Sequence, residues 1–255
     1  LLSDAAESAI NLVAAVLAFT VLLIAERPAD DDHAYGHEKV EYFSSGAEGA
    51  LILVAALAII YEAVMRFLHP VELQQLSAGL GISVLASLIN LAVSLAMLKV
   101  AKKTDSIVLE ADAKHLMTDV WTSVGMVAAL AVLLFVPEWK ILDPLVAIAV
   151  ALNIIKTGIE LIVRSMQGLM DQSLPEHERR TIETSVHQLG GPMVQFTQLR
   201  TRKSGAKRFV EFNLLVPGDW SVQAAHALCD QIEEDIARQL NEASIWIHIE
   251  PYGQS

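Results

Sequence analysis

The sequence predicts an α-helical membrane bundle of five spans followed by an α+β domain with the element order αββαβ. Three observations predict it. The chain has 255 residues, 53% apolar and only 19% charged, with a mean hydropathy of +0.44, whereas water-soluble domains average nearer a quarter charged residues. Every long, largely charge-free stretch falls before Gln167. Residues 171–255, by contrast, carry 12 acidic and 8 basic side chains, so a membrane domain over 1–168 precedes a soluble domain over 169–255.

A hydrocarbon core of about 30 Å takes roughly 20 apolar residues in a helix. Five stretches meet that length, at about 5–26, 40–67, 76–100, 108–136 and 142–166. The third is the cleanest, since Leu73 to Leu98 holds no charged residue, and the fifth opens after Asp143-Pro144, where proline suits a first helical turn. The first, second and fourth carry acids inside the span. Orientation follows from the basic residues of the short connections. Arg27, Lys39, Lys99, Lys102 and Lys103 fall on one side, against Arg66 and Lys140 on the other. The connections after spans one and three therefore face the cytoplasm, and so does the C-terminal domain.

In that domain Glu176 to Leu189 has helical periodicity. Gln195 to Arg202 and Arg208 to Val216 alternate as a hairpin around Lys203-Ser204-Gly205-Ala206-Lys207, Val222 to Leu240 is amphipathic, and Ile245 to Ile249 reads as a short strand. This order predicts helices on one face of an antiparallel sheet. The other sheet face is left bare, and oligomerisation is one way to cover it.

Composition also excludes. With the single cysteine Cys229, no disulfide framework and no zinc site needing two thiolates from one chain can form. Any metal must use histidine and carboxylates. A formal charge of −12 with no basic face argues against nucleic acid as a partner and for cations.

Ionisable residues inside a membrane span are costly and mark functional sites by default. The fourth span holds Glu110, Asp112, His115 and Asp119. His115 and Asp119 stand four residues apart, hence on one helical face, which is ligand spacing for a first-row divalent cation. The competing reading is a structural His–Asp hydrogen bond between packed helices. The first span repeats the spacing with Glu7 and Asn11, with Asp4 one turn earlier, so two helices offering two ligands each can close a four-coordinate cage. Asn11 is a poorer zinc ligand than a carboxylate, and asparagine in a membrane helix often serves to hold helices together; Asn90 in the third span reads that way. The first connection, Pro28-Ala29-Asp30-Asp31-Asp32-His33-Ala34-Tyr35-Gly36-His37, sets three acids and two histidines close together. Gly36 allows a tight turn there; the alternative is a solvated acidic loop. In the soluble domain His226 lies on a helix, while His248 and Glu250 share one face of the last strand. His69, His177 and His187 have no visible partner in sequence and read as surface or cap residues.

Four segments together, PADDDHAYGHEKVE at 28–41, EADAKHLMTD at 110–119, ILDPLVAIAVAL at 141–152 and LMDQSLP at 169–175, resemble the cation diffusion facilitator family of metal-ion/proton antiporters. The resemblance runs in order over essentially the whole chain. It implies that the first of the family's six membrane helices is absent here, in keeping with the start LLSDAAES. It implies a cytoplasmic metal-binding domain of ferredoxin-like type and a homodimer. By the same resemblance the transport site falls on Glu7, Asn11, His115 and Asp119, and a loop site on Asp30, His33 and His37. Cytoplasmic sites fall on His226, His248 and Glu250, with Asn213 where some members have histidine. Glu7 and Asn11 depart from the family's usual Asp or His followed by Asp, which bears on metal selectivity, and Asn213 departs from a complete two-metal cytoplasmic site.

The expected function is export of a divalent transition metal, zinc foremost and iron or manganese next, from the cytoplasm in exchange for protons. The expected setting is the cell membrane, the inner one in a bacterium, with the lipid bilayer, protons and a second copy of the chain as partners. The metal is both substrate and cytoplasmic-domain ligand. Two rivals stand beside it. A metal-binding sensor or structural protein would bind without flux. An intramembrane metalloenzyme would need a base beside an open metal position, and the chain lacks H-E-x-x-H.

Overall fold

The computed structural model describes residues 2–69, 77–135 and 141–252, with the side chains of 2–11, 77–80, 82–83, 129–135 and 142–143 outside the description. The chain divides into two compact units, Leu1–Met166 and Gln167–Ser255.

The first unit is helical. Helices α1 (Leu2–Ala25), α2 (Val40–Leu68), α3 (Ser77–Thr104), α4 (Ile107–Phe135) and α5 (Leu142–Leu169) occupy the five expected stretches. Among the described residues, Val40–Leu68, Val84–Thr104 and Pro144–Leu169 are long and apolar enough to cross a membrane, and Leu12–Ala25 is a shorter apolar segment. Helix α4 is a mixed case because its first half carries Glu110, Asp112, Lys114, His115 and Asp119. Helix α3 runs four residues past its expected end at 100. Lys102 and Lys103 occupy its last turn, where cations face the negative end of the helix dipole. The chain then reverses through Asp105, at φ 56°, a left-handed conformation that aspartate tolerates better than most residues. A carbonyl left open by the ending helix is used there, since Ser106 N–H donates to Ala101 O at 3.2 Å.

The start of α4 is capped from another helix. Glu41, 6% exposed near the beginning of α2, accepts from Ser106 Oγ at 2.6 Å and from Val108 N–H at 3.4 Å. A carboxylate at a helix N-terminus satisfies unpaired amides and favours the dipole, so Glu41 fixes where the site-bearing helix begins. Ser94, one turn after Asn90, donates to Ala113 O at 2.7 Å and ties α3 to α4. Arg164 of α5 reaches Glu110 of α4 at 2.6 Å, and Lys114 meets the same oxygen at 2.9 Å.

Helices α2 and α5 cross where both lack side chains. A Cβ on Gly49 would lie 3.0 Å from Gly158 O, and one on Gly158 would lie 3.0 Å from Gly49 O. Ser165 donates to Tyr42 O beside the same crossing. Small residues permit such backbone approach, which is the main source of helix association in lipid. Gly49→Leu is expected to destabilise the helical unit by about 1–3 kcal/mol through overpacking. Gly81→Leu, where an added Cβ meets nothing within 4 Å, is the control. Thermal unfolding of the two variants in the same detergent measures the difference, and equal midpoints would refute the crossing as a tight contact.

The second unit contains α6 (Glu176–Gly190), a short 3-10 turn at Gly191–Met193, β1 (Gln195–Ser204), β2 (Lys207–Val216), α7 (Val222–Gln239) and β3 (Ala243–Pro251). Both helices bury apolar faces on the sheet. Ile182, Val186, Val210, Phe212, Leu214, Ile232 and Ile236 are all at most 2% exposed. Ser221 caps α7 by accepting from Ala224 N–H at 3.1 Å. Strands β1 and β2 pair antiparallel around Gly205, at φ 56°, with a bulge between Thr197 and Arg200.

The sheet is not wholly antiparallel, contrary to expectation. Its order is β1-β2-β3, and β2 and β3 run parallel, with Asn213 opposite His248. The cause is the connection. Helix α7 returns the chain to the end of the sheet where β2 began, and a strand entered after such a crossover points the same way as its predecessor. The paired strands are also longer than the apolar alternation alone marked, because the ladder continues through polar residues.

Candidate metal centre

The loop joining α1 to α2 gathers three ligand-type side chains. Asp30, His33 and His37 each offer an atom, and these atoms lie within 4.8 Å of one another; among the described residues they are the one such group of three. Local chemistry builds the arrangement. Asp30 Oδ1 accepts from the backbone N–H of His33 at 2.7 Å and of Asp32 at 3.1 Å, an Asx turn that folds the loop onto its own carboxylate. Gly36, at φ 92°, then reverses the chain, with its N–H on His33 O at 2.9 Å, and glycine takes that conformation without a Cβ penalty. The turn brings His37 beside His33, ring centroids 4.4 Å apart. Asp30 Oδ1 stands 3.2 Å from His33 Nδ1, and Oδ2 stands 3.3 Å from His37 Nε2.

The three differ in exposure. The side chain of His37 is 11% exposed, against 58% for His33 and 53% for Asp30. One imidazole is therefore fixed against the protein while the carboxylate and the other ring face solvent. The His33 amide, aided by both imidazoles, holds the Asp30 carboxyl below its usual range. Asp30 thus stays anionic further into acid than a free carboxyl. Asp30→Asn, which keeps the shape and removes the charge, is expected to weaken zinc binding at this loop, since the carboxylate is its one anionic ligand. Calorimetric titration of the full chain with the other sites removed measures it, and an unchanged affinity would contradict ligation by Asp30.

His115 and Asp119 lie on α4, both half-buried. Their backbone carbonyls accept from Thr118 and Thr122 at 2.7 and 2.9 Å. Helix α1, which carries Glu7 and Asn11, packs against α4 and α2. The side chains of Asp4, Glu7 and Asn11 lie outside the described residues.

In the soluble unit, Asn213 Nδ2 donates to Glu250 Oε1 at 2.9 Å, and His248 Nε2 stands 3.6 Å from the same oxygen. His226 instead faces Asp230 at 3.8 Å. The four residues do not converge in one chain, for a reason visible in the strand. Ile245, Ile247 and Ile249 pack toward the helices, so alternation turns Trp246, His248 and Glu250 to the opposite face, while His226 belongs to α7 on the helical side. That outer face is open in the single chain, with Trp246 74% exposed. Cys229 is buried, and burial pushes its thiol up to about 11, which leaves it protonated and inert as a metal ligand at neutral pH.

Four buried acids, Glu38, Glu41, Glu48 and Glu178, received no role from the sequence. Glu41 caps α4, and Glu48 lies in the first third of α2 at 6% exposure. An acid inside an apolar run was the available signal, but the partners of Glu41 sit more than 60 positions away.

Comparison with known proteins agrees with this architecture. Residues 1–170 match the family model described as the cation efflux transmembrane domain. Residues 174–252 match the model of the cation efflux protein cytoplasmic domain. The chain is 46% identical over 251 residues to an uncharacterized transporter of Synechocystis sp., covering 98% of this chain and 81% of that protein. It is 29% identical to the cation-efflux pump FieF of Shewanella oneidensis, covering 98% and 84%. The metal-bound C-terminal domain of the CzcD transporter from Thermotoga maritima aligns at 28% identity, with 31% of this chain and 91% of that one covered and a TM-score of 0.29. A helical membrane unit followed by this α+β domain defines a multi-pass metal-cation efflux protein whose C-terminal domain is cytoplasmic. The chain belongs to the cation diffusion facilitator family.

Proposed function

We propose that the protein exports a divalent transition metal from the cytoplasm in exchange for protons, as a homodimer in the cell membrane, with zinc as foremost cargo and ferrous iron or manganese as others. The observation that carries the reading is the His115–Asp119 pair, set one turn apart on α4, the helix against which α1 with Glu7 and Asn11 packs. Two carboxylates, an imidazole and an amide oxygen make a four-coordinate cage that takes first-row divalent ions. Such a cage needs no loop in the membrane, so all its ligands can move with their helices as access alternates.

The loop cluster of Asp30, His33 and His37 supplies a second metal site on the cytoplasmic side. Asn213, His248 and Glu250 on the open sheet face, with His226 on the helical side, supply ligands in the cytoplasmic domain, and in a homodimer that face meets the partner. Deprotonated ligands capture the ion from the cytoplasm, and protonation from outside releases it. His115 is the natural proton acceptor, because imidazole is the side chain that changes charge near neutral pH.

Uptake into proteoliposomes tests the reading. A transporter accumulates zinc when a proton gradient is imposed and stops when it is collapsed; a sensor binds zinc without accumulating it.

Selectivity is expected to depend on Asn11. With Glu7 and Asp119 as its only anions, the cage holds a neutral amide oxygen at Asn11, and zinc, which binds anionic ligands more strongly than manganese does, gains more than manganese from a third carboxylate there. Asn11→Asp is expected to raise the ratio of zinc to manganese initial rates in proteoliposomes. An unchanged ratio would place Asn11 outside the metal's coordination shell.

A further inference from the structure

The chain carries 30 acidic and 18 basic residues, so a cation on its surface has carboxylates in easy supply. Lys114, Lys156, Arg164, Arg208 and Arg238 each meet a carboxylate oxygen at 2.6–3.8 Å. Lys99, Lys102 and Lys103, exposed on the last turns of α3, meet none among the described residues. Three like charges within five positions repel one another along a helix. The helix dipole does not account for them, since it presents only about half a negative charge at this end. A surplus of positive charge therefore stands at the end of α3 in a chain that is acidic elsewhere.

The residues that precede it on the same face show what it meets. Leu85, Leu88 and Leu95 are exposed, and with Ala92 they continue in steps of three and four to Lys99 and Lys102. One stripe of α3 is thus apolar along the span and basic at its end. Ser94 and Ala101 are buried on the other side, where Ser94 donates to Ala113 O of α4, so the stripe faces out of the helical unit. Helix α5 leads into the cytoplasmic domain, and successive membrane helices alternate in direction, so α3 also ends at the cytoplasmic surface. Lysine stems lie along apolar surface there and set their ammonium groups at the level of the lipid headgroups.

We propose that Lys99, Lys102 and Lys103 form a binding site for the headgroup of an anionic phospholipid of the cytoplasmic leaflet, whose acyl chains lie along Leu95 and Leu88. The occupant is a lipid rather than a free phosphate because the apolar stripe runs into the basic one without a break, and a single molecule with a charged head and hydrocarbon chains covers both. Three ammonium groups select net negative charge, which a zwitterionic headgroup lacks. The site does not depend on the transport reading, since none of the three lysines belongs to a metal site.

Native mass spectrometry of the full chain in detergent tests this, with phosphatidylglycerol and phosphatidylcholine of the same acyl chains as probes. Phosphatidylglycerol is expected to bind at least about tenfold more tightly than phosphatidylcholine, because each lysine near an anionic headgroup contributes about fivefold in affinity. Lys99→Gln, Lys102→Gln and Lys103→Gln together should abolish that preference, and each alone should weaken phosphatidylglycerol binding about fivefold; the single variants carry the test if the triple one fails to fold. Arginine at all three positions should retain the preference. Arg179→Gln, Arg180→Gln and Arg238→Gln together remove the same charge from exposed positions of the cytoplasmic domain and should leave it unchanged, and inorganic phosphate should not displace the lipid. Equal affinity for the two lipids, a preference that survives in the lysine-to-glutamine variants, an equal loss in the arginine-to-glutamine control, or displacement by inorganic phosphate would each overturn the proposal.

Discussion

Asp119→Ala is expected to reduce metal flux to the level of protein-free liposomes, while His226→Ala retains a substantial part of it. The contrast follows from where the two residues sit. Asp119 stands half-buried on α4, within the helical unit, where water replaces a lost carboxylate less readily than on an exposed surface. The proposed cage would keep Glu7 as its one anion, and a divalent charge compensated by a single carboxylate in low dielectric is strongly disfavoured. His226 is 71% exposed and faces Asp230, so water and neighbouring carboxylates substitute for it. Initial rates of zinc uptake, normalised to reconstituted protein, measure both variants. Wild-type rates for Asp119→Ala would remove the cage from the mechanism.

The second large effect is structural and lies in the cytoplasmic unit. Arg208 of β2 forms a two-pronged pair with Glu178 of α6, Nε to Oε2 at 3.0 Å and Nη2 to Oε1 at 2.8 Å. Its remaining nitrogen, Nη1, donates to Ala206 O and Asn241 O at 3.0 and 3.2 Å. Both side chains are nearly buried, at 13% and 12% exposure. Removing one partner of such a pair leaves the other charge uncompensated, and Arg208→Ala is expected to cost about 3–5 kcal/mol. Arg208→Lys should recover only part, because an ammonium cannot make the planar two-point contact. Hydrogen exchange of the core strand β2 in the full chain reports this local stability. Protection of Val210 and Phe212 unchanged in Arg208→Ala would contradict the assignment.

The helical half was legible because lipid imposes a length and a composition that a sequence displays directly. Leu73 to Leu98 lacks any charge, and proline marks the start of α5. The soluble half was legible in its element order, since Ser221 and Gly205 are turn and cap residues at the right places. The direction of β3 was not, because alternation in Ile245 to Ile249 is the same for a parallel and an antiparallel partner; only the crossover by α7 decides it. The loop cluster was legible from spacing, as Gly36 lets residues four apart turn their rings together. What the sequence could not display was pairing at a distance. Glu41 reaches Ser106, and Arg208 reaches Glu178, only because elements distant in sequence fold side by side. His226 and His248, read from the sequence as lying on a helix and on the last strand, lie on opposite sides of the sheet layer because alternation in β3 turns His248 away from the helices.

Coupled exchange is read out by recording metal and protons together. Proteoliposomes holding a pH-sensitive dye and a zinc-sensitive dye are given external zinc with no imposed proton gradient. Zinc entry is expected to be accompanied by proton exit, seen as internal alkalinisation with the same time course, both signals absent in Asp119→Ala. Zinc entry without a pH change, or a pH change that survives in Asp119→Ala, would contradict it.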